Sequence, residues 1–117
     1  MGEYLFVYGT LRGEFDNPCA RKLRSEARAI GPASIRGSLF RVDRYPGYRS
    51  EPGGTVSGEL YLLTDPAGTL AVLDRYEGPE FRRVRVTVST GHEAWAYEYA
   101  TEPRPSTRIE SGDFLKP

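Results

Sequence analysis

The strongest constraint on the fold is a run of alternating side chains in the last third of the chain. Within residues 81–90, every second residue from Val84 to Val88 is apolar, and arginine or threonine lies between them. A period of two is typical of a half-buried strand. Gly91 then leads into residues 94–100, where aromatic residues alternate in the same way. The sequence therefore predicts an antiparallel hairpin with one buried face.

Two segments carry the same helix-start signal, a capping side chain followed by proline. Asn17 precedes Pro18, and Asp65 precedes Pro66. Asparagine and aspartate cap helices well, and proline is favoured at the first helical position. We expect the first helix to continue through the alanine- and arginine-rich stretch that follows. The second is expected to end at Gly78, which a further proline follows.

The remaining segments predict strands and one loop. Apolar or alternating runs at residues 4–8 and 56–63 predict strands, and residues 29–42 predict one or two more. Prolines and glycines in residues 45–54 indicate a loop. The residues after position 102 are expected to form an extended tail, because prolines recur there. Five or more strands with two short helices predict a single α+β domain over residues 1–117, built on a curved or closed sheet.

Composition narrows the class of partner. Sixteen basic residues match sixteen acidic ones, so the chain lacks the positive excess that accompanies nucleic-acid binding. No apolar run approaches the length of a membrane helix, and the N-terminal residues do not resemble a signal peptide. The only cysteine, Cys19, has no partner for an internal disulfide, and no Cys/His cluster has metal-ligand spacing. We expect a cytoplasmic protein without nucleic acid, membrane or metal, and the oligomeric state stays open.

The first candidate site is the turn after the first strand, Tyr8–Arg12. Gly9 directly follows a buried run, where its missing side chain would let a ligand approach the main chain closely. Successive N–H groups in such a turn can hold a carboxylate. The alternative is an ordinary turn that ends a strand beside a packed tyrosine.

The second candidate is Glu77, in the last turn of the second predicted helix. Negative charge at a helix C-terminus opposes the macrodipole, so local helix stability does not favour a glutamate there. A solvated surface glutamate is the alternative. Arg83, on the next strand, is either a solvated residue or one that orients a carboxylate within the site.

Two further residues could carry chemistry of another kind. His92 is the only histidine and lies in the predicted hairpin turn, where a hydrolase of the Ser-His-Asp or Cys-His type would need it. Cys19 lies near a helix start, which can lower a thiol pKa, but a lone cysteine is commonly a small packing residue.

Five segments in this order resemble the gamma-glutamylcyclotransferase superfamily, in particular its short branch similar to gamma-glutamylamine cyclotransferases. The segments are Val7–Leu11, Val56–Tyr61, Leu73–Gly78, Phe81–Val86 and Ile109–Phe114. The resemblance implies a small mixed β-barrel flanked by short helices. The chain differs from the family pattern at two positions. Phe81 stands where many members have tyrosine, and Phe114 stands where many have tryptophan.

The resemblance implies an intramolecular reaction that needs no cofactor. The α-amine of a gamma-glutamyl substrate attacks its own γ-carbonyl and releases 5-oxoproline. Glu77 is expected to act as general base and then as general acid. The expected substrate-binding residues are Tyr8, Gly9, Thr10, Leu11 and Arg83. A non-catalytic module that binds a small molecule in the same pocket is the alternative, and the leaving group stays open.

Overall fold

Seven β-strands and two α-helices form the part of the chain that the computed structural model describes, residues 3–9, 17–42, 45–101 and 103–115. No helix in these ranges is both long enough and apolar enough to cross a membrane. In chain order the elements are β1 (Glu3–Val7), α1 (Pro18–Glu26), β2 (Ala27–Arg36), β3 (Ser38–Val42), β4 (Tyr45–Arg49), β5 (Thr55–Leu63), α2 (Pro66–Glu77), β6 (Phe81–Thr87), β7 (Glu93–Tyr99) and a 3₁₀ turn (Pro105–Thr107).

The strands form one mixed sheet in the order β2-β5-β1-β7-β4-β3, with β6 paired to β7. Strand β7 runs parallel to β1 at Trp95 and parallel to β4 at Glu98, and β6 pairs along its whole length. Just beyond β6, the amide of Ser89 donates to the carbonyl of Ser34 at 2.8 Å. This contact brings β6 near β2, so the sheet curls into a half-barrel. The predicted α+β fold with a curved sheet and short flanking helices is confirmed.

Both faces of the curled sheet bury apolar side chains. Residues of β1 alternate between them, so Phe6 belongs to the interior cluster and Leu5 and Val7 to the outer one. The interior cluster also contains Tyr8, Ile35, Leu39, Tyr48, Val56, Leu60, Val88, Ala94, Ala96 and Ile109. The outer cluster includes Leu23 of α1 with Leu70 and Leu73 of α2. The helices therefore pack on the outer face, and their own buried residues fix them to β1 and β7.

The structure has both helix starts, after Asn17 and Asp65, and the end of α2 at the predicted positions. The Asn17 side chain accepts a hydrogen bond from the amide of Ala20 at 2.8 Å, and Asp65 accepts one from Gly68 at 3.3 Å. Helix α2 ends at Glu77 because Gly78 adopts a φ of 78°, a conformation that favours glycine. Glu77 is therefore the last helical residue of α2.

One segment predicted as a loop is instead a strand, β4. Its first four residues include Pro46 and Gly47, which are poor strand formers. Nevertheless β4 pairs antiparallel with β3 over five residues and parallel with β7 at Tyr48. The prediction was wrong because pairing on both sides outweighs a weak local preference.

The C-terminal residues also differ from the predicted extended tail. After the 3₁₀ turn, the amide of Ile109 donates to the carbonyl of Leu39 at 2.7 Å, and the carbonyl of Gly112 accepts from Ser57 at 2.8 Å. Ile109 is buried in the interior cluster. The segment is therefore part of the core, where it covers one end of the half-barrel.

Candidate active site

Glu77 occupies the last position of α2 and is partly buried. Burial removes water from its carboxylate and raises the pKa from 4.5 to about 7. The helix is fixed against the sheet by Leu70 and Leu73, so the carboxylate is held at one end of the outer cluster. A carboxylate with this pKa can accept and return a proton near neutral pH.

Tyr8 is buried just after β1, and both hydrogen-bonding functions of its hydroxyl are occupied. The hydroxyl donates to the carbonyl of Tyr97 at 2.6 Å and accepts from the amide of Tyr48 at 3.1 Å. Burial raises the Tyr8 pKa, and the negative charge of Glu77 raises it further. The charge of Glu77 therefore acts on Tyr8, which is a fixed, neutral phenol.

Gly9 follows Tyr8 and is also buried. A Cβ atom built at Gly9 would lie 2.7 Å from Cγ of Pro46, so the close packing of β4 requires glycine here. Thr10 and Leu11, the other predicted turn residues, lie outside the described residues. The structure thus shows how the start of the turn is fixed between β1 and β4.

Arg83 lies on β6 with its side chain toward α2. Its Nε is 3.2 Å from Oδ1 of Asp74, and its guanidinium group lies over the Trp95 ring at 4.5 Å. Arg83 therefore pairs with the carboxylate of Asp74, and its role in substrate binding stays a prediction. The Tyr97 hydroxyl donates to the same Oδ1 atom at 2.7 Å.

A small pocket of about 330 Å³ lies beside this group. Its lining residues are Asp74, Phe81, Arg83, Trp95 and Tyr97. Phe81 also packs edge-on against Tyr99, with 5.5 Å between ring centroids. Phe81 therefore lines a pocket that also contains Asp74, three residues before Glu77.

Sequence reasoning missed four residues of this region: Asp74, Tyr97, Tyr48 and Glu98. Asp74 lies three residues before Glu77, a spacing that puts both on neighbouring helix positions. Glu98 has the same parity as the buried alanines of β7, which could have indicated that it points inward. No local signal indicates Tyr48, because its segment was interpreted as a loop.

Glu98 is a buried carboxylate with three hydrogen bonds from two elements. One oxygen accepts from Nε and Nη2 of Arg82 at 3.2 and 3.0 Å, and the other accepts from the amide of Ser50 at 2.8 Å. It lines a larger groove of about 770 Å³ between β2, β4 and β6, together with Tyr48 and Val84. The carboxylate therefore links β7 to β6 and to the residue that follows β4.

The other two candidate residues lie apart from this arrangement or lack activation. His92 contacts Thr90 at 2.8 Å and packs on the Tyr4 ring at the start of β7, the opposite end from Tyr97. Burial and the charge of Glu77 both raise the pKa of the Cys19 thiol, which disfavours a thiolate. Among the residues that the structure describes, no group of three His, Cys, Asp or Glu side chains could hold a metal ion.

The sequence matches one family model, described as gamma-glutamyl cyclotransferase, AIG2-like, over residues 5–116. A search of curated proteins found no match. The match covers both candidate segments, the turn after β1 and the end of α2.

Several solved structures share the fold. An uncharacterised protein, PH0828 from Pyrococcus horikoshii, is 28% identical with a TM-score of 0.78, over 96% of this chain and 89% of that one. YkqA from Bacillus subtilis is 28% identical with a TM-score of 0.75, over 97% of this chain and 39% of that one. An AIG2-like protein from Mus musculus is 20% identical with a TM-score of 0.76, over 97% of this chain and 88% of that one.

Proposed function

The chain belongs to the gamma-glutamyl cyclotransferase, AIG2-like family, and from this premise we propose that it is an enzyme releasing 5-oxoproline from gamma-glutamyl compounds. The observation that carries the proposal is the partly buried Glu77, whose pKa is about 7 and whose charge acts on Tyr8. A carboxylate with that pKa is matched to proton transfer at neutral pH. The reaction needs no cofactor.

The proposed reaction begins when the Glu77 carboxylate takes a proton from the α-ammonium group of the substrate. The free amine then attacks the γ-carbonyl carbon, and the new C–N bond closes a five-membered ring. The resulting tetrahedral centre collapses as the bond to the leaving nitrogen breaks and that nitrogen takes the proton back from Glu77. The ring nitrogen, which still carries two protons after the attack, releases one of them to solvent and becomes the amide N–H of 5-oxoproline. Because both reacting groups belong to one molecule, holding the substrate folded supplies most of the rate enhancement.

Substrate binding is assigned to the turn after β1. We propose that backbone N–H groups of Gly9, Thr10 and Leu11 hold the polar oxygens of the substrate, and that Tyr8 forms one wall. One observation supports this assignment: Tyr8, held by two backbone groups, fixes the start of the turn. The space that a Gly9 side chain would fill is taken by Pro46, so the substrate is not proposed to approach there. The leaving group could be an amine or an amino acid.

The test is mass-spectrometric detection of 5-oxoproline after incubation with a panel of gamma-glutamylamines and gamma-glutamyl amino acids. We expect Glu77→Gln to lower kcat by about 100-fold or more, with little change in KM, because it removes the proton acceptor but keeps the shape. Glu80→Gln is the matched control, since Glu80 is exposed three residues further along. Normal turnover by Glu77→Gln would disprove the assignment.

The same panel tests a binding or regulatory module as the second candidate. Phe81 lines the pocket without a hydroxyl at a position where the family resemblance implies tyrosine, and loss of a substrate hydrogen bond there would weaken the chemistry. Thermal stabilisation of the wild-type protein by 5-oxoproline or gamma-glutamyl compounds, with no product formed, would support that candidate instead.

A further inference from the structure

We propose that Asp74, held by Tyr97 and Arg83, is a positioning residue that fixes the end of α2 relative to Tyr8. The inference rests on the proposed function, because the residue it positions is Glu77. Asp74 itself is not assigned any contact with substrate.

The first argument is the attachment of the last helical turn. Oδ1 of Asp74 accepts from the Tyr97 hydroxyl at 2.7 Å and lies 3.2 Å from Nε of Arg83. Its backbone carbonyl accepts from the amide of Gly78 at 3.1 Å. Terminal helical turns fray readily because their carbonyl groups lack helical partners. Asp74 therefore fixes the turn that carries Glu77 to two residues of the β6–β7 hairpin.

The second argument is that Tyr97 contacts both halves of the site. Its side chain holds α2 through Asp74, and its backbone carbonyl accepts the Tyr8 hydroxyl at 2.6 Å. Loss of the phenolic proton would end the bond to Asp74, and this bond, after burial, raises the Tyr97 pKa. Tyr97 of β7 thus connects the end of α2, which carries Glu77, with Tyr8.

The third argument is that the Asp74–Arg83 ion pair contributes too little to stability to explain its presence. The Asp74 side chain is 43% exposed, and exposed ion pairs contribute between about 0 and 1 kcal/mol. Asp74 and Glu77 both place negative charge near the C-terminus of α2, where the helix dipole disfavours it. Placement of Glu77 explains why this turn carries two carboxylates and a cation from β6.

The chain offers matched controls for each contact. Tyr97→Phe and Tyr99→Phe each remove one phenolic hydroxyl from the same face of β7. The Tyr97 hydroxyl bonds to Asp74, whereas within the described residues no hydrogen bond uses the Tyr99 hydroxyl. Arg83→Ala and Arg85→Ala each remove an arginine that lies over Trp95 and pairs with a carboxylate. Only the first member of each pair contacts α2.

The experiment measures kcat and KM for 5-oxoproline release in all four variants. We expect Tyr97→Phe to lower kcat by about fivefold, the effect of one hydrogen bond, with KM changed less than about twofold. Arg83→Ala should lower kcat by about as much or more, while Tyr99→Phe and Arg85→Ala retain wild-type kcat. Asp74→Asn should retain more activity than Asp74→Ala, because the amide oxygen still accepts from Tyr97.

An NMR titration of the Glu77 carboxyl carbon gives a second measurement that needs no turnover. Tyr97→Phe changes no charge, so a loosened helix end should hydrate Glu77 and lower its pKa from about 7 toward 4.5. Tyr99→Phe should leave it unchanged. If the wild-type protein releases no 5-oxoproline, the proposed function fails and this titration alone decides the positioning role. Equal kcat in both members of each pair, or an unchanged Glu77 pKa in Tyr97→Phe, would overturn the inference.

Discussion

At the scale of single residues, the surroundings of Glu77 matter more than its identity. The chain has sixteen acidic residues, and among those described Glu77 is the one whose pKa burial raises to about 7. The neighbouring Tyr8 is buried, and its hydroxyl bonds to two backbone groups. The site thus combines one group that can move a proton with one that is held still.

The pH dependence of turnover should report the Glu77 pKa. The residue accepts a proton only when ionised, so kcat/KM should rise with pH and reach half its maximum near the Glu77 pKa of about 7. A pH–rate profile of the wild-type protein from about pH 5 to about pH 9 measures this. Half-maximal activity near pH 4.5, the ordinary value, would contradict a buried base.

The same pKa shift predicts a pH-dependent stability difference. Folding raises the Glu77 pKa, so the folded state binds more protons than the unfolded state between pH 4.5 and about 7, and stability falls as pH rises through this window. Glu77→Gln removes the charge, so at about pH 8 it should be more stable than wild type by about 2 kcal/mol. Urea unfolding at several pH values tests this. The difference should vanish below about pH 4.5, and a constant difference would contradict it.

At the scale of elements, the helices depend on single capping side chains. The Asn17 side chain accepts a hydrogen bond from the amide of Ala20 at 2.8 Å, and Leu23 of α1 packs in the outer cluster. The helix has only nine residues, a length at which helices in water are not stable alone. Capping and one buried face therefore decide whether α1 forms.

Replacement of the α1 cap should weaken the domain measurably. Asn17→Ala leaves the amide of Ala20 without its side-chain acceptor and should cost about 1 kcal/mol of unfolding free energy. Asn17→Asp, which keeps the acceptor, is the control and should cost less than half as much. Urea denaturation followed by circular dichroism measures both. Equal losses in the two variants would show that the cap oxygen is not the cause.

At the scale of the whole molecule, a small number of contacts between strands far apart in the chain hold the sheet in its curled shape. Ser89 meets Ser34 across the open side, and the C-terminal segment covers one end through Ile109. Inside, Glu98 joins Ser50 to Arg82 and so connects β4 with the β6–β7 hairpin. These contacts help to fix the position of β4, and Pro46 of β4 packs against Gly9.

Loss of the Glu98 carboxylate should therefore destabilise the whole domain. Glu98→Ala leaves the amide of Ser50 without its acceptor and Arg82 without its partner. Because Ser50 is exposed and the Arg82 side chain is 60% exposed, we expect a loss of about 1 to 2 kcal/mol. Glu93→Ala makes the same change at the exposed end of β7 and should cost less than about 0.5 kcal/mol. Thermal and urea unfolding compare them. Similar losses in the two variants would contradict the role of Glu98.

The sequence alone predicted the elements whose signals are local. Asn17, Asp65 and the prolines after them define both helix starts, and alternation defines the β6–β7 hairpin. These signals act over a few residues through capping, backbone restriction and the pleat of a strand. The family resemblance added Glu77 and the turn after β1 as candidates, and in the structure the charge of Glu77 acts on Tyr8.

Only the tertiary structure decided the features that depend on residues far apart in the chain. Strand β4 exists because β3 and β7 pair with it, although Pro46 and Gly47 disfavour a strand. The contact of Arg83 with Asp74 and the pKa of Glu77 depend likewise on how α2 packs against the sheet. Desolvation and long-range pairing are sums over many neighbours, so no short stretch of sequence contains them.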